Sequence, residues 1–332
     1  MVETWKDEDI SLDPIKNQTI AVIGYGIQGD AQANNMKDSG LKVVIGLKEG
    51  GVSWAKAKSD GHEVLSVADA CKKADIIHIL IPDMIQAKVY KEDIAPNLSD
   101  GNALSFSHAA AIYWKWIDAP DNVDVIMVAP KGPGSKVRET YLSNFGTPSI
   151  VAVEQDKTST AWDRTLGIGK GIGSARAGLI KTTFKEEVET DWFGEQADLC
   201  GGAASMVTNA FETLVEAGYQ PEIAYFEVLH ELKLIVDMIQ KYGINGMWRC
   251  VSETARYGGL TRGPMVINAQ TKEEMKKVLK MIQDGTFNNE WITEYQKNGK
   301  DAFDKHMKKL DSHQIEQVGK QMRKMMWPDS TE

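Results

Sequence analysis

The chain has 332 residues, 42% of them hydrophobic and 26% charged, which is the composition of a folded globular protein with room for about two domains. Lys and Arg number 38 against 47 Asp and Glu, a formal charge of −9, so a global basic footprint for nucleic acid is excluded and an anionic membrane repels the chain on average. Three scattered cysteines (Cys71, Cys200 and Cys250) fit neither a disulfide framework nor zinc spacing and point to a reducing compartment.

The first residues, Met1-Val2-Glu3-Thr4-Trp5-Lys6-Asp7-Glu8-Asp9, are acidic and lack the apolar stretch of a signal peptide, so a cytoplasmic location is expected. A buried-type strand is predicted over 19–23, followed by a glycine turn and a helix through 31–37 that ends at Gly40. A second strand covers 41–46, a helix starts at 54–59, and another occupies 66–74. The longest apolar run, Ile76-Ile77-His78-Ile79-Leu80-Ile81-Pro82, is too short to cross a bilayer and right for a buried strand, with His78 in a structural role. Further strands are predicted over 102–106, 124–128 and 149–153. Strands alternating with helices give an α/β domain of Rossmann type: a doubly wound parallel sheet with helices on both faces.

The pattern changes near residue 183. Thr183-Phe184-Lys185-Glu186 reads as a capping box, and only helices are predicted beyond it. They cover 199–218, 221–242 (opened by Pro221 and stopped by Gly243), 272–283, 290–297 and 300–326. The expected division is 1–182 for a dinucleotide-binding domain and 183–328 for an all-α domain.

Gly24-Tyr25-Gly26-Ile27-Gln28-Gly29 is G-x-G-x-x-G placed after a strand and at the start of a helix. The first glycine allows the tight turn, the second lets backbone reach a pyrophosphate, and the third lets helix and strand pack closely. The second strand ends in Lys48-Glu49-Gly50-Gly51-Val52-Ser53. Lys48 and Ser53 suit a 2′-phosphate and favour NADPH, whereas Glu49 could accept from a ribose hydroxyl.

Asp191 and Glu195 are four residues apart, as are Glu227 and Glu231, and on a helix such pairs share a face. The second pair lies in a helix apolar nearly all round, which predicts burial. Four carboxylates without a Cys or His cluster select a hard divalent ion, with Mg²⁺ the foremost candidate. His108 follows a strand at the end where open α/β sheets bind ligands, and Lys131 follows another.

With these residues in place, the sequence resembles the ketol-acid reductoisomerase (acetohydroxy acid isomeroreductase) family in its short, class I form, along almost the whole chain. The resemblance rests on the glycine turn and on Met127-Val128-Ala129-Pro130-Lys131-Gly132-Pro133-Gly134. It rests further on Glu189-Thr190-Asp191-Trp192-Phe193-Gly194-Glu195-Gln196, Ala224-Tyr225-Phe226-Glu227 through Glu231-Leu232-Lys233, and Ser252-Glu253-Thr254-Ala255. It implies that Asp191 bridges two Mg²⁺ ions, with Glu195 on the first and Glu227 and Glu231 on the second. It makes His108, Lys131 and Glu231 catalytic and Ser252 a substrate contact. It also assigns Gly24, Tyr25, Gly26, Ile27, Gln28, Gly29, Lys48, Ser53, Asp83, Met84, Ile85, Gln86 and Gly134 to the cofactor. The family's second domain is knotted, and its subunits intertwine as homodimers or dodecamers, so that Glu227, Glu231 and Ser252 serve the partner's site. Its substrates are 2-acetolactate and 2-aceto-2-hydroxybutyrate, on the route to valine and isoleucine; nucleic acid and membrane are not among its partners.

The chain departs from the family pattern at several points. Ile27 stands where Ser is common, Asp30 where His is, Gly51 where a Ser holds the 2′-phosphate, and Lys48 where Arg is common. Ala109-Ala110-Ala111 follows His108 in place of Gly-Phe-Asn. Losing a hydroxyl and a bidentate guanidinium weakens a phosphate site, so NADH is expected to serve beside NADPH. Two other readings are a metal-free dehydrogenase of the β-hydroxy-acid type and a catalytically silent NADP-sensing protein.

Overall fold

The computed structural model describes residues 2–328. They form two compact units, residues 1–190 and 191–332 by chain position, and each is taken by itself.

The first unit is built on nine strands: β1 (Thr4–Trp5), β2 (Thr19–Ile23), β3 (Lys42–Gly46), β4 (Glu63–Leu65), β5 (Ile76–Ile79), β6 (Ala103–Phe106), β7 (Asp124–Pro130), β8 (Ser149–Gln155) and β9 (Leu179–Lys181). Their order is β1-β9-β8-β7-β6-β5-β2-β3-β4. The run from β4 to β7 is parallel. β8 is antiparallel to β7, and β1 to β9, so the sheet is mixed rather than wholly parallel. Apolar runs announce burial but carry no strand direction, which is why the sequence could not show this. The two- and three-residue strands β1, β4 and β9 have no periodicity to read.

β2 and β5 are fully apolar apart from Thr19 and His78, as central parallel strands buried on both faces require. Chain order runs outward from this pair in both directions, so the switch point lies between β2 and β5, and ligands bind at the carboxyl ends there. The helices α1 (Ile27–Asp38), α2 (Val52–Ser59), α3 (Val67–Lys73), α4 (Asp83–Val89), α5 (Gly134–Leu142) and α6 (Ala161–Gly171) cover the sheet. Ile20, Val22, Met36, Ile45, Ile76, Ile126, Val128, Ile168 and Leu179 belong to one continuous buried cluster.

Helix α7 (Phe184–Gly194) runs across the division. The Glu186 N–H donates to Thr183 Oγ1 at 3.0 Å, as the capping reading expects, but the Glu186 carboxylate accepts from Thr182 Oγ1. Beyond it the described residues contain only helical elements, among them α8 (Gly201–Glu216), α9 (Glu231–Cys250, preceded by the short helical segments Pro221–Tyr225 and Phe226–His230), α10 (Glu253–Val266), α11 (Ala269–Gln283), α12 (Thr286–Asn298), α13 (Asp304–Asp311) and α14 (Gln314–Met326). The helix predicted over 300–326 is broken at Ser312 and His313. Gly243, with φ +73°, interrupts α9 where the sequence predicts a stop. The buried cluster of this unit is small: Phe211, Ala224, Tyr225, Ile315 and Val318.

Candidate active site

The glycine turn takes the conformation its spacing requires. Gly24 has φ +103°, and a Cβ there would lie 2.7 Å from the Leu80 carbonyl oxygen; a Cβ on Gly29 would lie 2.3 Å from the Gly24 oxygen. Around Gly26, by contrast, nothing stands within 4 Å of that position, so the middle of the turn faces open space. Helix α5 closes the other side. A Cβ on its first residue, Gly134, would lie 2.2 Å from the Ile27 oxygen, so the N-termini of α1 and α5 abut. Two helix N-termini beside a glycine turn form an anion cradle.

Next to the turn, Gln28, Leu80, Ile81, Asp83, Gln86, Ser107 and His108 line a cavity of about 170 Å³. Gln86 is buried; its Nε2 donates to Ile81 O and Asp83 Oδ1, while its buried Oε1 accepts no hydrogen bond. An acceptor left so inside a polar cavity suits a ligand donor such as an amide. These features fit a dinucleotide. Met84 and Ile85 lie on α4 between the two polar residues and are partly buried. The Tyr25 side chain does not face this space. It is 3% exposed and bound beneath the turn to Asp60 and Asn34, so only its backbone is left for a cofactor. Lys48 is exposed after β3, and Ser53 lies in the first turn of α2, whose cap is Gly51.

His108 and Lys131, from separate loops, meet at a residue the sequence reading missed. Glu187, 1% exposed, accepts from Lys131 Nζ at 3.0 Å and from the Ala109 N–H at 2.9 Å, and lies 3.0 Å from His108 Nδ1. Burial would raise the Glu187 carboxyl, but the His108 hydrogen bond, the charges of His108 and Lys131 and the Ala109 N–H together hold it at about 2. The signal is in the sequence: Glu187 lies four residues before Asp191, as Asp191 lies four before Glu195, and so extends the same spacing by one turn.

Three of the four carboxylates sit where the helices widen, and Asp191 lies one turn earlier, in α7. A backbone bond from Cys200 N–H to Glu195 O and another from Glu231 N–H to Phe226 O each span five residues rather than four. Glu195 opens the first wide turn, Glu227 lies inside the second and Glu231 closes it; such turns recur at functional sites. A Cβ at Gly201 or Gly202 would lie 2.3 or 2.2 Å from the carbonyl five residues back, so the glycine pair makes the first widening possible. The expected burial of the second pair is overturned. Asp191 is partly buried, but Glu195, Glu227 and Glu231 are exposed, because much of the apolar surface of α9 has nothing from this chain packed on it. An all-oxygen set of this kind fits Mg²⁺. Ser252 is exposed and caps α10, its Oγ accepting from the Ala255 N–H at 3.2 Å.

Comparison with known proteins decides the family. The acetohydroxy acid isomeroreductase NADPH-binding domain matches residues 14–178, and the ketol-acid reductoisomerase C-terminal domain matches residues 184–327. The chain belongs to the ketol-acid reductoisomerase family. The ketol-acid reductoisomerase (NADP(+)) of Nitrosopumilus maritimus (strain SCM1) is 85% identical over the whole of both chains. That of Methanopyrus kandleri is 56% identical over 98% of this chain and 99% of its own. Among solved structures, an NADH-preferring ketol-acid reductoisomerase from an uncultured archaeon is 46% identical, with a TM-score of 0.94 over 97% of this chain and 98% of that one. Membership makes the chain an oxidoreductase of branched-chain amino-acid biosynthesis and sets aside the β-hydroxy-acid dehydrogenase and silent-sensor readings. Of the ketol-acid reductoisomerase residues named from the sequence, Gln28, Asp83, Gln86 and His108 meet at one cavity, and Lys131 joins His108 through Glu187.

Proposed function

We propose that the chain carries out both steps of the family reaction at one substrate: alkyl migration from C2 to C3 of 2-acetolactate or 2-aceto-2-hydroxybutyrate, then reduction of the 2-keto acid by NADPH. Two Mg²⁺ ions held by Asp191, Glu195, Glu227 and Glu231, with Asp191 shared, would supply the acidified hydroxyl and the polarised ketone that migration needs. The supporting observation is Glu187. Its carboxylate holds His108 at the cofactor cavity and Lys131 together, and its helix continues into Asp191 and Glu195. Because Glu187 stays ionised at neutral pH and can only accept, His108 presents an Nδ1–H to it, which fixes the orientation of the ring that lines the cofactor cavity and would handle a proton there. Lys131, 3.0 Å from the same carboxylate, suits an oxygen gaining negative charge. Glu231 and bound water complete the proton handling, and Ser252 contacts the substrate.

The cofactor is NADPH, with Lys48, Ser53 and the N-terminus of α2 around the 2′-phosphate and the turn from Gly24 to Gly29 under the pyrophosphate. Glu49 and the missing hydroxyl at Gly51 leave NADH usable, in keeping with a close structural relative that prefers it. The protein works in the cytoplasm as a homodimer or dodecamer in which Glu227, Glu231 and Ser252 of one subunit serve the other. The apolar groove of Met206, Leu214, Val228, Leu232, Val236 and Ile267 supports that reading. Described residues contain no helix long and apolar enough to cross a membrane. The test is NADPH oxidation driven by 2-acetolactate in Mg²⁺. Turnover abolished by EDTA and restored by Mg²⁺ is expected; full turnover in EDTA would overturn the metal assignment.

A further inference from the structure

A histidine at the centre of a parallel sheet needs a reason, because an apolar residue there avoids the cost of burying a polar ring. His78 is fully buried in β5, and burial pushes its imidazole down to about 4, so the ring is neutral. Its Nδ1 lies 2.8 Å from the Oγ of Ser105, its partner in β6, and its Nε2 lies 2.9 Å from Gln32 Oε1 on α1. The Gln32 Nε2 donates to Gln28 Oε1 at 3.0 Å and to Ser107 Oγ at 3.1 Å. The Gln28 Nε2 then donates to the Gly132 carbonyl at 3.1 Å.

The polarity of this chain is fixed from its far end. A carbonyl only accepts, so Gln28 must turn its NH₂ to Gly132 and its oxygen to Gln32. Gln32 must then donate to Gln28 and accept from His78. A neutral His78 that donates from Nε2 must accept at Nδ1, from the Ser105 hydroxyl. Every bond agrees in direction; the Ser107 Oγ also donates to Gln32 Oε1, at 3.4 Å, so removing the His78 donor takes away the shorter of the two bonds that hold this oxygen and loosens the Gln32 side chain. The two outer ends are not incidental. Ser107 precedes His108, Gly132 follows Lys131, and Gln28 and Ser107 line the same cavity as His108.

We propose that His78 is a positioning residue for reduction: acting through Gln32, it ties Gln28, Ser107 and Gly132 together and so holds the loops of His108 and Lys131 in register against the glycine turn. It touches neither cofactor nor substrate. The inference rests on the assignment of that cavity to the nicotinamide cofactor.

The test compares His78→Leu with His78→Gln, whose Nε2 can donate where the imidazole Nε2 does. Readouts are kcat, the KM for NADPH, the isotope effect with NADPH deuterated at the transferred position, and the Kd for NADPH by fluorescence without turnover. All are taken well below each variant's Tm. His78→Leu should lose about 10- to 100-fold in kcat, the scale of a misplaced reacting group, with a weakened NADPH Kd and a changed isotope effect. His78→Gln should recover most of both. If His78→Leu does not fold, Gln32→Met breaks the same chain from the other residue and should show the same losses. A His78→Leu enzyme with the kcat, Kd and isotope effect of the wild type would overturn the proposal, as would a His78→Gln enzyme no better than His78→Leu. A wild type that binds NADPH but does not convert 2-acetolactate would count against the reaction assigned above, while the Kd comparison would still decide the role of His78.

Discussion

The two units differ in how completely they bury themselves. In the first, β2, β5, β6 and β7 are almost wholly inaccessible, and one apolar cluster reaches across the sheet to α1 and α6. In the second, five residues form the buried cluster, while Leu234, Val236, Ile244, Tyr257 and Met265 are each at least half exposed. Surface of that kind is rare on a finished monomer, and it is the surface that the proposed contact between subunits would use. The lesson is a division of labour: the first unit is complete as a binding fold, whereas three of the four carboxylates proposed to hold metal lie exposed on the unit that is not. Cofactor binding should therefore survive damage that abolishes isomerisation.

The largest break in that comparison is Asp191→Asn. Removing the shared carboxylate should lower turnover by about 10³-fold or more, several kcal/mol of lost metal assistance, while the NADPH Kd is unchanged. Turnover close to wild type in saturating Mg²⁺ would remove Asp191 from the metal site. The next is Leu234→Asp combined with Ile244→Asp. A charge buried in an apolar contact costs about 3–5 kcal/mol, so light scattering should show smaller particles and the activity should fall with them. The first unit should still bind NADPH. An unchanged particle size would show that this face is not where copies meet.

Glu187→Gln tests the place where the first unit meets the chemistry. A buried carboxylate that accepts from Lys131, His108 and the Ala109 N–H is costly to neutralise, and about 2–3 kcal/mol of stability should go with it at pH 7. Its pH dependence has a definite sign. The folded carboxyl at about 2 lies below its ordinary value of 4.5, so its contribution is full above pH 4.5 and is lost as pH falls towards 2. The difference in stability between wild type and Glu187→Gln should shrink over that window. A constant difference would mean that Glu187 is not held ionised by His108 and Lys131.

Much of the site was legible because its residues lie close together in sequence. The glycine turn, the carboxylate pairs and the His108 and Lys131 loops each carry their chemistry within a few residues, and the strands before them were read as strands. What escaped was relational. The link of His108 to Lys131 through Glu187 spans 79 and 56 residues of chain. The direction of β8 depends on pairing that no apolar run encodes. The helix around Glu227 was read as buried because it is apolar, yet an apolar helix is equally consistent with a face kept for another subunit, and one chain alone cannot separate the two. The wide turns at Glu195 and Phe226 shift the helical phase by one residue, which a regular four-residue spacing conceals.

The smallest expected effect lies wholly within the first unit and concerns which cofactor it prefers. Lys48 is exposed at the end of β3, so solvent screens its charge and its interaction with a 2′-phosphate should be worth about 0.5–1 kcal/mol. Lys48→Ala should raise the KM for NADPH by about 2- to 5-fold and leave the KM for NADH nearly unchanged, since only NADPH carries the phosphate. Raising the salt concentration should weaken NADPH binding to wild type more than to the variant, because the charge that salt screens has gone. An equal rise in both KM values would assign Lys48 to the shape of the loop instead. The 2′-phosphate would then rest on Ser53 and the N-terminus of α2, and Glu49 would become the residue to change next.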